Sequence, residues 1–102
     1  MKSLFTFLVL LFIIISCAQE KLVDLELGEN VFKTNCVICH GRDGKLAVNG
    51  AKDLRLSKMS AEERVVLIQE GKNLMTPFKA LLSKEKIEAV AHYSLKFANA
   101  QQ

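Results

Sequence analysis

Hydrophobic and polar positions divide this chain into one solid apolar run and three patterned segments. Leu4 to Ile15 is apolar throughout, apart from Thr6. From Leu27 the apolar residues take helical spacing, with Leu27 and Val31, and Gly28 and Phe32, at i and i+4. A glycine inside a helix costs about 1 kcal/mol relative to Ala. Gly28 therefore points to a close crossing by another backbone or to a frayed helix start. Ser60-Ala61-Glu62-Glu63 is a capping box. It opens a helix predicted to run to about Glu70, burying Ala61, Val65 and Ile68, with Gly71 as its stop. Ser83 caps a last predicted helix that runs through about Ala98, with Ile87, Val90, Ala91 and Phe97 on its main apolar face. His92 falls nearly opposite that face and is expected in solvent. Residues 41–53 read as a loop, punctuated by Gly41, Gly44 and Gly50 and by the turn dipeptides Asp43-Gly44 and Asn49-Gly50. Residues 71–79 are irregular and hold the sole proline, Pro77. No convincing strand and no repeat is present.

The chain has 102 residues, enough for one small domain. The apolar run is shorter than the roughly 20 residues a membrane span needs. Lys2 precedes it and small residues follow, which is the order of a secretory signal. Residues 1–16 are therefore read as a leader outside the fold. Ile14-Ile15-Ser16-Cys17 resembles a bacterial lipobox. That resemblance implies acylation of Cys17, which would become the mature N-terminus of a lipoprotein anchored to a membrane by lipid. Ordinary cleavage near Ala18 and an uncleaved anchor are the alternatives. Residues 17–26 carry alternating charge without Gly or Pro and read as a tether, reaching at most about 33 Å. The formal net charge is +3, with no basic stripe interleaved with aromatics, so no nucleic-acid partner is expected. Nothing in the chain supplies a general base, a nucleophile or a phosphate loop. Neither an enzyme activity nor a small-molecule substrate is expected.

The densest chemistry lies in Cys36-Val37-Ile38-Cys39-His40. Two thiols at i and i+3 share one helix face. That spacing lets both reach the vinyl groups on one edge of a single haem and form thioethers. A His directly after the second Cys completes a c-type haem attachment pattern. His40 then lies under the iron as its proximal ligand. A redox-active dithiol would want a βαβ context, and a structural zinc site would want four ligands. The chain offers neither, since its other Cys lies in the leader and its other His is far downstream.

One His leaves the sixth iron position to Met75, Met59, His92 or nothing. Met75 is favoured. Thr76 before Pro77 is pushed toward an extended conformation, so Met75 sits on a rigid, non-helical segment that can present sulfur to a metal. The competing role for any Met is gap-filling in a core. A thioether ligand raises the potential and leaves no easy position for a substrate, which favours electron transfer. Leu54 and Leu56 are candidates to face the porphyrin.

With these residues in place, 27–97 resembles the small bacterial class I cytochromes c. Gly28 to Phe32, Cys36 to Gly41, Asp53-Leu54, Gly71-Lys72, Met75 to Phe78 and Ile87 to Tyr93 carry the likeness, in the family's order. It implies an all-α class I cytochrome c fold over 27–102, three main helices and loops wrapped around one covalently attached haem c. It also implies that Gly28 and Phe32 cross the last helix near Val90 and Tyr93. Maturation of such proteins outside the bacterial cytoplasm agrees with export to the periplasm or another extracytoplasmic space. The family commonly has Pro before the Asp-Leu pair, its carbonyl accepting the proximal His N–H. Lys52 stands there instead, so the acceptor is expected but less rigidly held.

The function expected is a one-electron carrier with His40 and Met75 as axial ligands, shuttling electrons between membrane-associated respiratory partners such as an oxidase or reductase. The alternatives are a haem subunit of a larger oxidoreductase and a sensor or peroxidase with an open iron. Lys33, Lys45, Lys72 and Lys79 flank the expected haem contacts. They are read either as steering charges for an acidic partner or as ordinary solvated charges.

Overall fold

The computed structural model of the chain describes residues 1–15 and 22–100, with the backbone alone for 10–15. Cys17 lies outside the described residues. Five α-helices occur among them: α1 (Lys2–Ile15), α2 (Leu25–Asn35), α3 (Val37–His40), α4 (Ala61–Glu70) and α5 (Lys84–Asn99). Short 3-10 turns at Val48–Gly50 and Leu54–Leu56 interrupt the long loop. No strand occurs among the described residues, only an isolated bridge between Lys72 and Met75.

Helix α1 spans the solid apolar run, and Leu4, Phe5, Phe7 and Leu8 on it are exposed. Its 14 residues rise about 21 Å, short of a hydrocarbon core about 30 Å thick. No described helix is long and apolar enough to cross a membrane.

Helix α2 begins at Leu25, two residues before the expected start. Its cap explains this, because the Asp24 carboxylate accepts the Leu27 N–H at 2.9 Å. At the start of α4 the predicted capping box is complete, with Ser60 Oγ accepting from Glu63 N–H at 3.2 Å and Glu63 Oε2 accepting from Ser60 N–H at 2.8 Å. Ser83 caps α5 by accepting the Lys86 N–H at 3.2 Å.

The core lies where α2 and α4 pack on α5. Ile87 and Val90 are each 1% exposed, and each contributes about 1.5–3 kcal/mol of burial. Phe32 of α2 sits between Tyr93 and Phe97 of α5, at ring-centroid distances of 5.6 and 5.0 Å. Gly28 is the reason the two helices approach so closely. A Cβ added there would meet the Ala89 carbonyl oxygen and lie 2.8 Å from Tyr93 Cβ. The close-crossing reading of Gly28 thus holds, and the frayed-start reading does not. Gly28→Ala gains about 1 kcal/mol in helix propensity, but the obstacle is backbone and cannot swing aside. Overpacking of about 1–3 kcal/mol should prevail. A denaturant melt of the variant should show a lower midpoint, and an unchanged one would contradict this packing.

Two expectations need correction. Leu54 and Leu56 do not face a common site. A 3-10 turn advances about 120° per residue, so positions two apart diverge. Leu54 packs on the core beside Gly44 and Phe97, whereas Leu56 is 69% exposed. On α4, Ala61 and Ile68 are buried and Val65 is half-buried, but Arg64 shares their face and is buried too.

Candidate cofactor site

The two candidate thiols sit at a helix junction. Cys36 ends α2, its N–H donating to the Phe32 carbonyl at 2.9 Å. The same residue opens α3, its carbonyl accepting from Cys39 N–H at 3.3 Å and from His40 N–H at 3.0 Å. One turn therefore carries Cys36, Cys39 and His40, as the spacing predicted. Both cysteines are half-buried and free of disulfides. Burial pushes the Cys36 thiol up to about 11, with a smaller contribution from Cys39. A redox-active dithiol needs the opposite, a thiol whose thiolate is stabilised.

His40 is oriented from the long loop. Its Nδ1 lies 3.2 Å from the Lys52 carbonyl oxygen. A carbonyl only accepts, so Nδ1 carries the proton and Nε2 keeps its lone pair for a metal. Burial holds the imidazole below its ordinary pKa, and the Lys52 contact opposes this more weakly. A neutral ring is the state a metal ligand requires. Lys52 thus supplies the expected backbone acceptor without the rigidity of a Pro at that position. The loop is pinned at two other points, by Leu46 N–H to the His40 carbonyl at 3.0 Å and by Leu54 N–H to the Gly44 carbonyl at 2.8 Å.

Met75 arrives from the end of α4. Gly71 stops that helix with φ 67°, a left-handed value that favours glycine. A side chain at Gly71 would also strike the Met75 carbonyl oxygen at 2.6 Å. The chain then turns through Asn73, φ 54°, and Met75 N–H donates to the Lys72 carbonyl at 3.0 Å. Phe78 N–H and Lys79 N–H return to the Ile68 and Gln69 carbonyls at 2.9 and 3.3 Å. The segment is therefore clamped onto α4, and Met75 is half-buried against the core.

Cys36, Cys39, His40 and Met75 line one cleft of about 330 Å³, walled by apolar side chains that include Ile38, Leu74 and Phe78. Such volume and character suit a flat organic cofactor. Met59 and His92 do not line it. Met59 is held elsewhere, its carbonyl accepting from Arg64 Nε at 3.1 Å. The donor set fits haem, with two thiols on one turn, an imidazole with Nε2 free and a thioether on the same cleft.

The comparisons with known proteins agree. Residues 23–93 match the family model described as cytochrome c oxidase, cbb3-type, subunit III. The chain belongs to the class I cytochrome c family. Among similar proteins is a cytochrome c6 of Nostoc sp., 34% identical over 98% of this chain and 97% of the relative. A cytochrome c6 of Gracilaria tenuistipitata var. liui is 34% identical over 93% of this chain and 94% of its own. That of Microcystis aeruginosa is 40% identical over 67% of this chain and 90% of its own. No solved structure matches significantly. This cytochrome c holds one covalent c-type haem with iron, and its fold is the all-α fold of that family.

Among the four lysines expected around the site, Lys33 pairs with Glu29 at 2.7 Å and Lys45 with Asp43 at 3.4 Å. Only Lys72 lines the cleft itself. The burial of Arg64 escaped sequence reading. Its spacing from Ala61 and Ile68 marked the inner face, but its charge argued for solvent.

Proposed function

We propose that this cytochrome c is a one-electron carrier whose iron is held by His40 and Met75 and whose haem is attached through Cys36 and Cys39. What supports the reading is that all four side chains line a single cleft, while Met59 and His92 stand away from it. Bound haem supplies a metal that gains and loses one electron. Burial keeps the His40 ring neutral, and the Lys52 carbonyl orients it. The clamped 71–79 segment holds the Met75 sulfur in place through both redox states. Ile38, Leu74 and Phe78 exclude water. Similar cytochromes c6 are electron carriers, which supports a carrier rather than an enzyme.

The same reading places the protein outside the cytoplasm, at a membrane. Residues 1–16 act as a lipoprotein leader, and Cys17 carries the lipid. The stretch from Cys17 to Asp24 then gives the domain a reach of about 26 Å to redox partners at that surface. Each buried CH₂ of the acyl chains contributes about 0.8 kcal/mol, so two or three chains anchor the protein for good. Cys17→Ala is expected to move the haem protein from the detergent-extracted membrane fraction to the soluble fraction. Equal membrane retention of both forms would remove the lipid anchor from the account.

A second reading is a haem subunit held in a larger oxidoreductase. The match to the subunit III family favours it. Mild detergent extraction separates the two. A carrier elutes alone at the size of its own chain, and a subunit elutes with a stoichiometric partner.

A further inference from the structure

Arg64 is the unexplained charge of the fold. It is 4% exposed. Its Nε donates to the Met59 carbonyl at 3.1 Å and its Nη1 to Ser94 Oγ at 2.8 Å. Ser94 in turn donates to the Ala91 carbonyl at 2.7 Å. Arg64 Nη2 is buried with no partner. Among the described residues no carboxylate forms an ion pair with it. Every described hydrogen-bond partner is neutral, so among the described residues nothing compensates the positive charge.

Retaining such a charge is costly. Burying an ion without a counter-ion carries a desolvation penalty, and an apolar side chain of similar volume often serves packing as well or better. Burial is also the single cause that lowers its pKa, with no acid opposing it. An arginine nonetheless stays charged inside a protein. Packing alone therefore gives a poor account of this residue.

Its place suggests what the charge acts on. Arg64 sits one turn before Ile68, whose carbonyl holds Phe78, and Phe78 and Met75 line the cofactor cleft. Arg64 is buried on the same face of α4 as Ile68, and Ile68 belongs to the core against which Met75 and Phe78 pack. In a low-dielectric interior its field is weakly screened. Reduction lowers the charge of the haem by one, and a fixed cation favours that change.

We propose that Arg64 is a positioning residue of electrostatic kind, a buried uncompensated cation that biases the haem toward its reduced state. This rests on the electron-carrier reading. The test uses the full-length haem protein with Arg64→Met and Arg64→Lys. Met keeps most of the volume and removes the charge, and Lys keeps the charge and loses the planar fork. Each variant is titrated against redox mediators at low and high salt, with its spectrum and thermal melt recorded alongside. Arg64→Met is expected to shift the reduction equilibrium toward the oxidised form by on the order of tenfold, or about 59 mV for one electron. The shift should be the same at both salt concentrations, because ions do not reach the site. Arg64→Lys should stay near the parent potential whatever its melt shows. A purely bracing role predicts the converse, with both variants less stable and the potential of Arg64→Met unchanged, and that result overturns the proposal. If Arg64→Met fails to fold, Arg64→Lys and Ser94→Ala decide. Both keep the charge and disturb the bracing bond, so a large potential shift in either overturns the electrostatic role. Retention of the parent low-spin spectrum in every variant keeps this outcome separate from the carrier reading, which fails only if that spectrum is absent in the parent.

Discussion

A chain carrying Cys36→Ala together with Cys39→Ala is expected to be largely unfolded at 25 °C. The described buried hydrophobic residues number ten, and three of them are alanines. A core of this size seldom yields more than about 3–5 kcal/mol. Much of the remaining apolar surface faces the cleft instead. Leu74 and Ile38 are 73% and 78% exposed, although they wall the place where the cofactor belongs. The haem completes that core, and its covalent attachment keeps it there in the unfolded state as well. Losing it removes a shared apolar partner from α3, the 41–53 loop and the Met75 segment at once. Far-UV circular dichroism should show little helix, and heating should give no cooperative transition. A native-like, cooperative melt without haem would contradict the account.

Met75→Ala should instead leave a folded protein with a different iron. The segment around it is held by backbone bonds to Ile68 and Gln69 and by the turn at Gly71, none of which needs the Met75 side chain. What disappears is the sulfur. Without a thioether the ferric state is relatively favoured, so the midpoint potential falls. The weak far-red band that reports Met–Fe(III) bonding should vanish completely, and the reduced variant should bind CO rapidly. Met59→Ala serves as the control. Met59 stands outside the cleft, and its carbonyl contact to Arg64 survives the substitution. If Met75→Ala kept the far-red band, Met75 would not be the ligand.

Local sequence made much of this site legible because its chemistry is local. Cys36, Cys39 and His40 need only one helical turn to meet, and Ser60 and Glu63 need only three residues to close their box. Gly28 was legible in a weaker sense. Its cost inside a helix signalled a neighbour, but only the structure identified the Ala89 carbonyl as that neighbour. The Leu54–Leu56 turn was misjudged because positions two apart do not share a face in a 3-10 helix. Arg64 was hidden for a different reason. Its spacing from Ala61 and Ile68 puts it on the inner face of α4, a signal the sequence reading did not use. Long-range satisfaction by Ser94, thirty residues on, cannot be read from local pattern. The Lys52 carbonyl as acceptor for His40 was expected from the family resemblance and not from local pattern, since any residue provides that backbone group.

The most direct test of the central claim is the visible spectrum of the purified full-length protein, oxidised and reduced, followed by CO added to the reduced form at neutral pH. Axial ligation by His40 and Met75 predicts the sharp reduced bands of a low-spin c-type haem, a far-red band in the oxidised state and no rapid reaction with CO. A high-spin spectrum with rapid CO binding would mean an open iron, and the protein would then be a sensor or peroxidase and not an electron carrier.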